Sequence, residues 1–472
     1  MWKMSFAIRR KLKMKRVYHE SSRNIPIYNE FEVVVAGGGT AGMIAGLAAA
    51  RAGAKTLVIE RLNCLGGNFT AGLMTTTWTF NDQQKQIVKG IPYEFIKRLE
   101  EIDGTLKGDI SRETFTIYDI EKAKFVMSQM YAEEKNLKVL YHTMIADVIV
   151  EDNKVKGVII QNKSGRQAVY AKAIVDATGD ADVAAYAGAE FMLAEKKNLN
   201  PISLLAKMCN VDFDEMNVYY NEHPEFIGDF LGGEPHQGFH SFRLADELQG
   251  ITLPPELEYI RDWFILYYQT PNPGEMIINM TGATEVDGTN AEEVSDAEDL
   301  SRKRLMDALV VFKKHIPGFK NVYYASTASS IGVRETRRIT GKVILTAELM
   351  LAGTRFEDAI CSYSAPVADH TKDGKSIVFR RLEPGNSYDI PLSSMIPKEI
   401  DGVIVAGRCI SVEASAIGST RNMTSCMAMG QGAGVAAAIC ARDGIVPRKI
   451  PNDILRKELL AQGVYLEGLS NK

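Results

Sequence analysis

Several things are scarce in this chain of 472 residues. It has 6 cysteines, none in a C-x-x-C pair or at metal-ligand spacing. That pattern argues for a reducing, cytoplasmic setting and against a disulfide framework. No stretch of about 18 apolar residues occurs, so no membrane span is expected. Neither sign of charge dominates: 55 Lys and Arg stand against 59 Asp and Glu, a net charge of -4. Such a chain has no global positive field to recruit nucleic acid or an acidic membrane. The 7 histidines are scattered, and no His/Asp/Glu cluster shows metal-ligand spacing. No metal is expected, and no Ser–His–Asp triad can be read from them. Internal repeats and low-complexity segments are also absent. Hydrophobic residues at 46% and charged residues at 24% exclude wholesale disorder.

The first sixteen residues, MWKMSFAIRRKLKMKR, are basic with no acid. No apolar stretch follows them, so they read as a solvated tail and not a secretory signal. Met14 is an alternative start.

What the chain does have is glycine, 39 in all, and it is clustered. Phe31–Ala36 is a β-branched apolar run, as expected of a buried parallel strand. Gly37-Gly38-Gly39-Thr40-Ala41-Gly42 follows, then a small-residue helix to Arg51, then a strand Lys55–Ile59 ending in Glu60. Gly37 permits a tight turn and Gly39 lets backbone approach a pyrophosphate. Gly42 and Gly46 let helix and strand pack closely. The helix N-terminus offers unpaired N–H groups to phosphates. Glu60 can accept both ribose hydroxyls, and it disfavours a 2′-phosphate. The strand–turn–helix–strand–acid order therefore predicts a dinucleotide site.

Three further segments favour FAD over NAD. A second glycine loop, Leu65-Gly66-Gly67-Asn68, follows Glu60. Predicted strands Met144–Val150, Lys154–Asn162 and Gln167–Lys172 lead into Ala171–Asp176, which ends in Ala177-Thr178-Gly179-Asp180. Near the C-terminus, a strand ending at Gly407-Arg408 precedes a polar loop and a helix carrying Gly430-Gln431-Gly432-Ala433-Gly434. Each glycine inside a helix costs about 1 kcal/mol relative to alanine. Close approach of a flat ring or of a neighbouring element would offset that cost.

Together these runs, with Ser330-Ile-Gly-Val-Arg334-Glu-Thr-Arg337-Arg338 and Tyr388–Pro397, resemble the FAD-dependent oxidoreductase family with a glutathione-reductase-type flavin domain. Relatives of that group include fumarate-reductase and succinate-dehydrogenase flavoproteins. The resemblance covers about Phe31 to Gly444. It implies FAD lying extended, with adenosine at Glu60 and Arg61 and pyrophosphate at Gly37, Gly39, Thr40, Ala41 and Gly42. It also implies that Gly66, Gly67 and Asn68, the turn Ala177, Thr178, Gly179 and Asp180, the return at Gly407 and Arg408, and the helix at Gly430, Gln431 and Gly432 flank the cofactor. No second strand–GxGxxG–helix unit exists, so a built-in NAD(P)H domain is not expected. Cys64 lacks a partner four or five residues on, so neither is a redox disulfide.

The fold class that follows is α/β: a Rossmann-like FAD-binding domain with a small β-meander, and an inserted α+β substrate or cap domain. The expected divisions are a tail (1–29), a discontinuous FAD domain (30–80, 117–189, 390–450), a cap (81–116, 190–389) and a C-terminal segment (451–472). Helices are expected at Asp119–Asn136, at Ser295–His315 behind a Ser295-x-x-Glu298 capping box, and around Val343–Leu351.

Flavin carries the redox chemistry, so the chain's task is to orient substrate and supply charge and protons. His240 could serve as acid or base, and Arg243 could clamp a carboxylate. The alternative for both, and for His236, is an exposed loop. Arg334 and Arg337 lie where three cations crowd five residues. They call for an anionic ligand or for an ion-pair network with Glu335. Arg408 and Arg421 flank the chain's return and could offset charge on reduced flavin. Cys426 reads as packing. The expected activity is hydride transfer between a small organic substrate, carboxylate-bearing by analogy, and flavin N5, with a separate electron donor or acceptor. The alternatives are an FAD-binding electron-transfer subunit of a larger complex and a flavoprotein with a blocked reactive face. A homo-oligomer is left open.

Overall fold

The glycine turn at Gly37–Gly42 sits at the end of the strand that centres the first sheet. The computed structural model describes residues 18–106, 115–224, 239–243, 247–262, 264–280, 282–370 and 377–467. The basic tail through Arg16 and His236 lie outside these. Strand β1 (Ile27–Ala36) leads into α1 (Thr40–Arg51) and β2 (Thr56–Ile59). Then come α2 (Ile91–Glu100), α3 (Ile120–Ala132), β3 (Leu137–Leu140), β4 (Met144–Glu151), β5 (Lys154–Asn162) and β6 (Gly165–Asp176). The sheet order is β3-β2-β1-β6-β5-β4. The first four strands are parallel, while β5 and β4 fold back as an antiparallel meander. Val33, Val34, Val35 and Ala36 are wholly buried, because helices cover β1.

The sequence divides the last stretch into two strands, but the structure fuses them into the single strand β6. Its outer edge is shared. Strand β5 pairs with Gly165–Tyr170, and the strand Val403–Val405 pairs in parallel with Ile174–Asp176. The C-terminal return thus docks beside the Ala177–Asp180 turn. The meander hairpin turns through Asp152 (φ 49°) and Asn153 (φ 57°), the left-handed pair that a two-residue hairpin needs.

A second, antiparallel sheet comprises β7 (Ala206–Cys209), β8 (Phe239–Arg243), β9 (Phe264–Gln269), β10 (Met276–Asn279) and β11 (Tyr323–Thr327), in the order β8-β9-β10-β7-β11. Helix α4 (Ala291–His315) packs on it through a hydrogen bond from Tyr324 Oη to Leu305 O at 3.0 Å. The rings of Phe312, Phe319 and Tyr267 add contacts at 5.8 and 5.5 Å.

Two helix starts differ from the sequence reading. Helix α4 begins at Ala291, because the Asn290 side chain accepts from the backbone N–H groups of Glu292 and Glu293. Ser295 instead bonds back to Ala291 O from within the helix. The helix expected from Val343 spans only Ala347–Leu351, capped by Thr346. Val343 and Leu345 donate their N–H groups to Ser393 O and Ser411 O instead, which holds them extended.

Helix α5 (Met423–Asp443) is the one described helix long and apolar enough to cross a membrane, and it is buried through its apolar length. It lies against α1 as a core helix, and its glycines make that contact possible. A Cβ at Gly430 would sit 2.1 Å from Ala41 O, and one at Gly434 2.3 Å from Ala45 O.

Candidate active site

The turn after β1 is built as its sequence requires. Gly37 has φ +91°, and a Cβ there would lie 2.6 Å from Ala177 O. Gly42 must be glycine because a Cβ would fall 1.8 Å from Gly37 O. Gly39 differs from both. It caps α1 in extended conformation, and around its missing side chain only Ala177 O comes within 4 Å, at 3.9 Å. Backbone N–H groups at a helix N-terminus and an open glycine face form a cradle of the kind a pyrophosphate occupies. Buried Glu60 accepts from Gly38 N at 2.7 Å and from Leu62 N at 2.8 Å. Its carboxylate therefore stands beside the cradle and fixes the turn.

The second glycine loop docks directly on the first. Gly66 N donates to Gly38 O at 2.8 Å, and Thr40 Oγ1 donates to Gly66 O at 2.9 Å. A Cβ at Gly67 would stand 3.0 Å from Gly39 Cα. Asn68 lies next to Gly332, since its Oδ1 would be 3.7 Å from a Cβ built there. Arg61 reaches across to Ser330 Oγ at 3.0 Å.

Asp180 is the joint of the site. Its Oδ1 accepts from Arg408 at 2.6 Å and from Thr336 Oγ1 at 2.6 Å. Burial pushes the Asp180 carboxyl upward, but Arg408 and Thr336 outweigh it and hold it below the ordinary range. Gly179 (φ +84°) leaves room for the Arg408 guanidinium, which would lie 2.9 Å from a Cβ there. Gly407 (φ +99°) stands over Ala41, whose Cβ would lie 3.5 Å from a Cβ built there. Asp176, fully buried at the end of β6, is pushed up to about 6 by burial. It accepts from Thr178 Oγ1 at 2.7 Å and from Ala184 N at 3.0 Å, which shapes the turn.

The segment 329–339 crosses over these turns. Ser329 N donates to Ala71 O, Gly332 N to Ser203 O, and Ile339 N to Cys409 O. Its arginines have separate fates. Arg337 donates to Asp180 O at 2.8 Å and pairs with Asp182. Arg338 is buried against Glu335 at 3.3 Å, and Glu335 also accepts from Asn200 at 2.7 Å. Arg334 bonds only to Pro201 O and has no carboxylate partner among the described residues. Burial lowers its pKa, and Tyr268 on β9 opposes the shift.

Gly37, Gly39, Thr40, Ala41, Gly42, Glu60, Arg61, Gly66, Gly67, Asn68, Ala177, Thr178, Gly179, Asp180, Gly407 and Arg408 thus gather at one end of the parallel sheet. Gly430, Gln431 and Gly432 lie on α5, and their immediate neighbours are protein groups, Ala41 of the cradle among them. Gly430 meets α1, Gly432 meets the Ile360 side chain, and Gln431 accepts from Ile91 N at 3.1 Å and donates to Gln462 O at 2.9 Å. His240 and Arg243 lie on β8, the edge strand of the second sheet, and not on a loop. Cys426 is buried, its thiol pushed up to about 12 by burial. Sequence reasoning passed over Thr336, although it stands within the arginine run. It also passed over Asn200–Ser203, which no motif marks.

A parallel sheet ending in a double glycine cradle, with a second unit folded over it, defines a dinucleotide-binding enzyme of the flavoprotein class. The family model described as FAD dependent oxidoreductase matches residues 32–459, and the chain belongs to that family. It is 30% identical over 161 residues to a thiamine thiazole synthase of Methanothermobacter thermautotrophicus, spanning 32% of this chain and 57% of that protein. It is 34% identical over 165 residues to a thiamine thiazole synthase of Methanococcus aeolicus, spanning 33% and 57%. The chain therefore matches little more than half the length of these relatives. Among solved structures, it is similar to a geranylgeranyl bacteriochlorophyll reductase-like protein of Thermoplasma acidophilum, with 15% identity and a TM-score of 0.46. That match covers 93% of this chain and 84% of the other.

Proposed function

We propose that the chain transfers a hydride between a small organic substrate, carboxylate-bearing in its natural form, and flavin N5, and that a separate donor or acceptor completes the cycle. Bound FAD supplies the hydride-accepting or hydride-donating atom. The chain's own residues divide the remaining work. The face of Gly39 and the N-terminus of α1 receive the pyrophosphate, and Glu60 stands where the adenosine ribose would bond. Asp180, clamped by Arg408 and Thr336, holds the return loop against the segment that carries Arg334. Arg334 orients the substrate.

One observation carries this reading. Asp180 Oδ1 takes a donor from the sheet-side loop and another from the segment 329–339 at once. The substrate-side arginine is thereby fixed to the cofactor's turn. Orientation of that kind lowers the barrier by replacing a bimolecular encounter with a held geometry.

The test is an anaerobic screen of carboxylates, sugars and amines against the purified yellow protein. The expected result is bleaching of oxidised flavin by at least one carboxylate, with a product that differs from it by two hydrogens. Bleaching only by a partner protein, and by no small molecule, would replace this reading with the electron-transfer subunit.

A further inference from the structure

One cation of this region has no bonded counter-charge among the described residues. Arg421 follows the short helix Ile417–Thr420 and stands one residue before the Asn422 cap of α5. Its Nε is buried and bonded to nothing, and its guanidinium makes no hydrogen bond or ion pair among the described residues. The acids around it are shared with other groups, and Glu335 acts on Arg421 through space without bonding it. Asp180 serves Arg408 and Thr336, Asp182 serves Arg337, and Glu335 serves Arg338 and Asn200. Arg334, two residues before Thr336, is likewise without a carboxylate partner among the described residues. The weld at Asp180 brings the segment holding Arg334 onto the loop that runs from Arg408 to Arg421.

The first turn of α5 adds to the deficit. The Asn422 side chain does not cap it, and Ser425 Oγ, fully buried on that turn, has no hydrogen-bond partner among the described residues. An uncapped N-terminus of a 21-residue helix carries partial positive charge. The cost of this arrangement is visible at Arg421, whose pKa is pushed down to about 10 by burial and by the charge of Arg334. Arg334 and Arg421 are partly buried, and like charges held there without bonded acids are unfavourable unless an anion joins them.

We infer that Arg334 and Arg421 together form the subsite for the substrate's carboxylate, Arg421 from the α5 side and Arg334 from the crossing segment. This rests on the hydride-transfer reading for the word substrate, but the anion site stands on its own charges. Two guanidiniums present paired N–H donors to a planar carboxylate, which an uncharged amide of the same shape cannot match.

The test uses the FAD-loaded protein and two readouts other than turnover: calorimetric binding and perturbation of the flavin absorbance. The probes are acetate, succinate and benzoate, each against its amide. At least one carboxylate should bind while its amide does not. Arg334→Gln and Arg421→Gln should each weaken that binding at least tenfold, with FAD content and flavin midpoint potential unchanged. Arg421→Lys should restore part of it. Absence of binding by all three carboxylates, or equal binding by the Gln variants, overturns the assignment. So does an Arg421→Gln variant whose flavin potential moves while carboxylate affinity stays, since that would give Arg421 to the flavin. Carboxylate binding that depends on both arginines, with neither bleaching of oxidised flavin nor reoxidation of reduced flavin by any carboxylate, sinks the hydride-transfer reading and leaves the subsite. Bleaching by a neutral compound, indifferent to both substitutions, does the reverse.

Discussion

Two glycine clusters, alike in sequence, do opposite work. At Gly37–Gly42 the chain needs glycine for conformation and for space: Gly37 sits at φ +91°, and Gly39 faces an opening. At Gly430–Gly434 every residue is helical, and the missing side chains are replaced by protein: Ala41 and Ala45 of α1, and Ile360. Both clusters meet at α1, one shaping its N-terminus and the other lying along its side. A glycine run after a strand therefore points to a ligand, whereas one inside a helix points first to another helix. The cost of about 1 kcal/mol per helical glycine is offset by the apolar burial that close packing of α1 and α5 allows.

The comparison breaks most violently at Gly430. In Gly430→Ala the new Cβ would lie 2.1 Å from a backbone oxygen of α1, which cannot rotate away. The helices must separate, and we expect a loss of about 3 kcal/mol or more, read as a large fall in the urea midpoint. Near-native stability would show that α5 can slide and that its glycines are not packing residues.

Next in size is the joint between the clusters. Asp180→Asn leaves the partly buried Arg408 guanidinium without its one carboxylate among the described residues, which costs about 2 kcal/mol. Because the Asp180 pKa is lowered on folding, its contribution is present above the usual aspartate value of 3.8 and is lost as the pH falls below it. The wild-type protein should thus lose stability on acidification through that window, and the Asn variant should lose less. Parallel pH curves for the two would remove Asp180 as the anchor.

What the sequence disclosed follows the same division. Strands buried on both faces announce themselves as apolar runs, so β1, β2 and the end of β6 were legible, as were the turns that follow them. The second sheet was not. Strands such as Ala206–Cys209 and Met276–Asn279 are four residues long and lie far apart in the chain, so no periodicity or turn residue ties them together. The start of α4 was misread because two capping patterns overlap. Asn290 with Glu293 satisfies the first N–H groups, and Ser295 with Glu298 merely repeats the spacing inside the helix. The arginine run marked the right place. Only packing could separate Arg337 and Arg338, which hold the structure, from Arg334, which has no acid.

A smaller effect separates side-chain from backbone contact within α5. A Cβ at Gly432 would meet Ile360 Cβ at 2.7 Å and its Cδ1 at 2.8 Å, and the second of these can be trimmed. Gly432→Ala should cost about 1–2 kcal/mol, and Ile360→Val in the same protein should recover part of it. The same second change should do nothing for Gly430→Ala. Denaturation of the four variants decides the point, and rescue of both would mean that the contact at Ala41 is not the obstacle.

The smallest effect on the fold is the sharpest test of the cradle. Gly39 is extended at φ −65°, a conformation valine adopts, and nothing but Ala177 O stands within 4 Å of the added Cβ. Gly39→Val should therefore cost the apoprotein about 1 kcal/mol or less, mostly as a poorer helix cap. The valine methyls would nevertheless stand where backbone must approach a pyrophosphate, and loss of that contact should weaken FAD binding by about 100-fold or more. The flavin-to-protein ratio after gel filtration reads the second effect, and the melting curve of flavin-stripped protein reads the first. Normal flavin content in Gly39→Val would place the pyrophosphate elsewhere. Gly430→Ala should show the opposite pattern, losing the fold before the cofactor, so the pair of variants separates a glycine that makes room for a ligand from one that makes room for a helix.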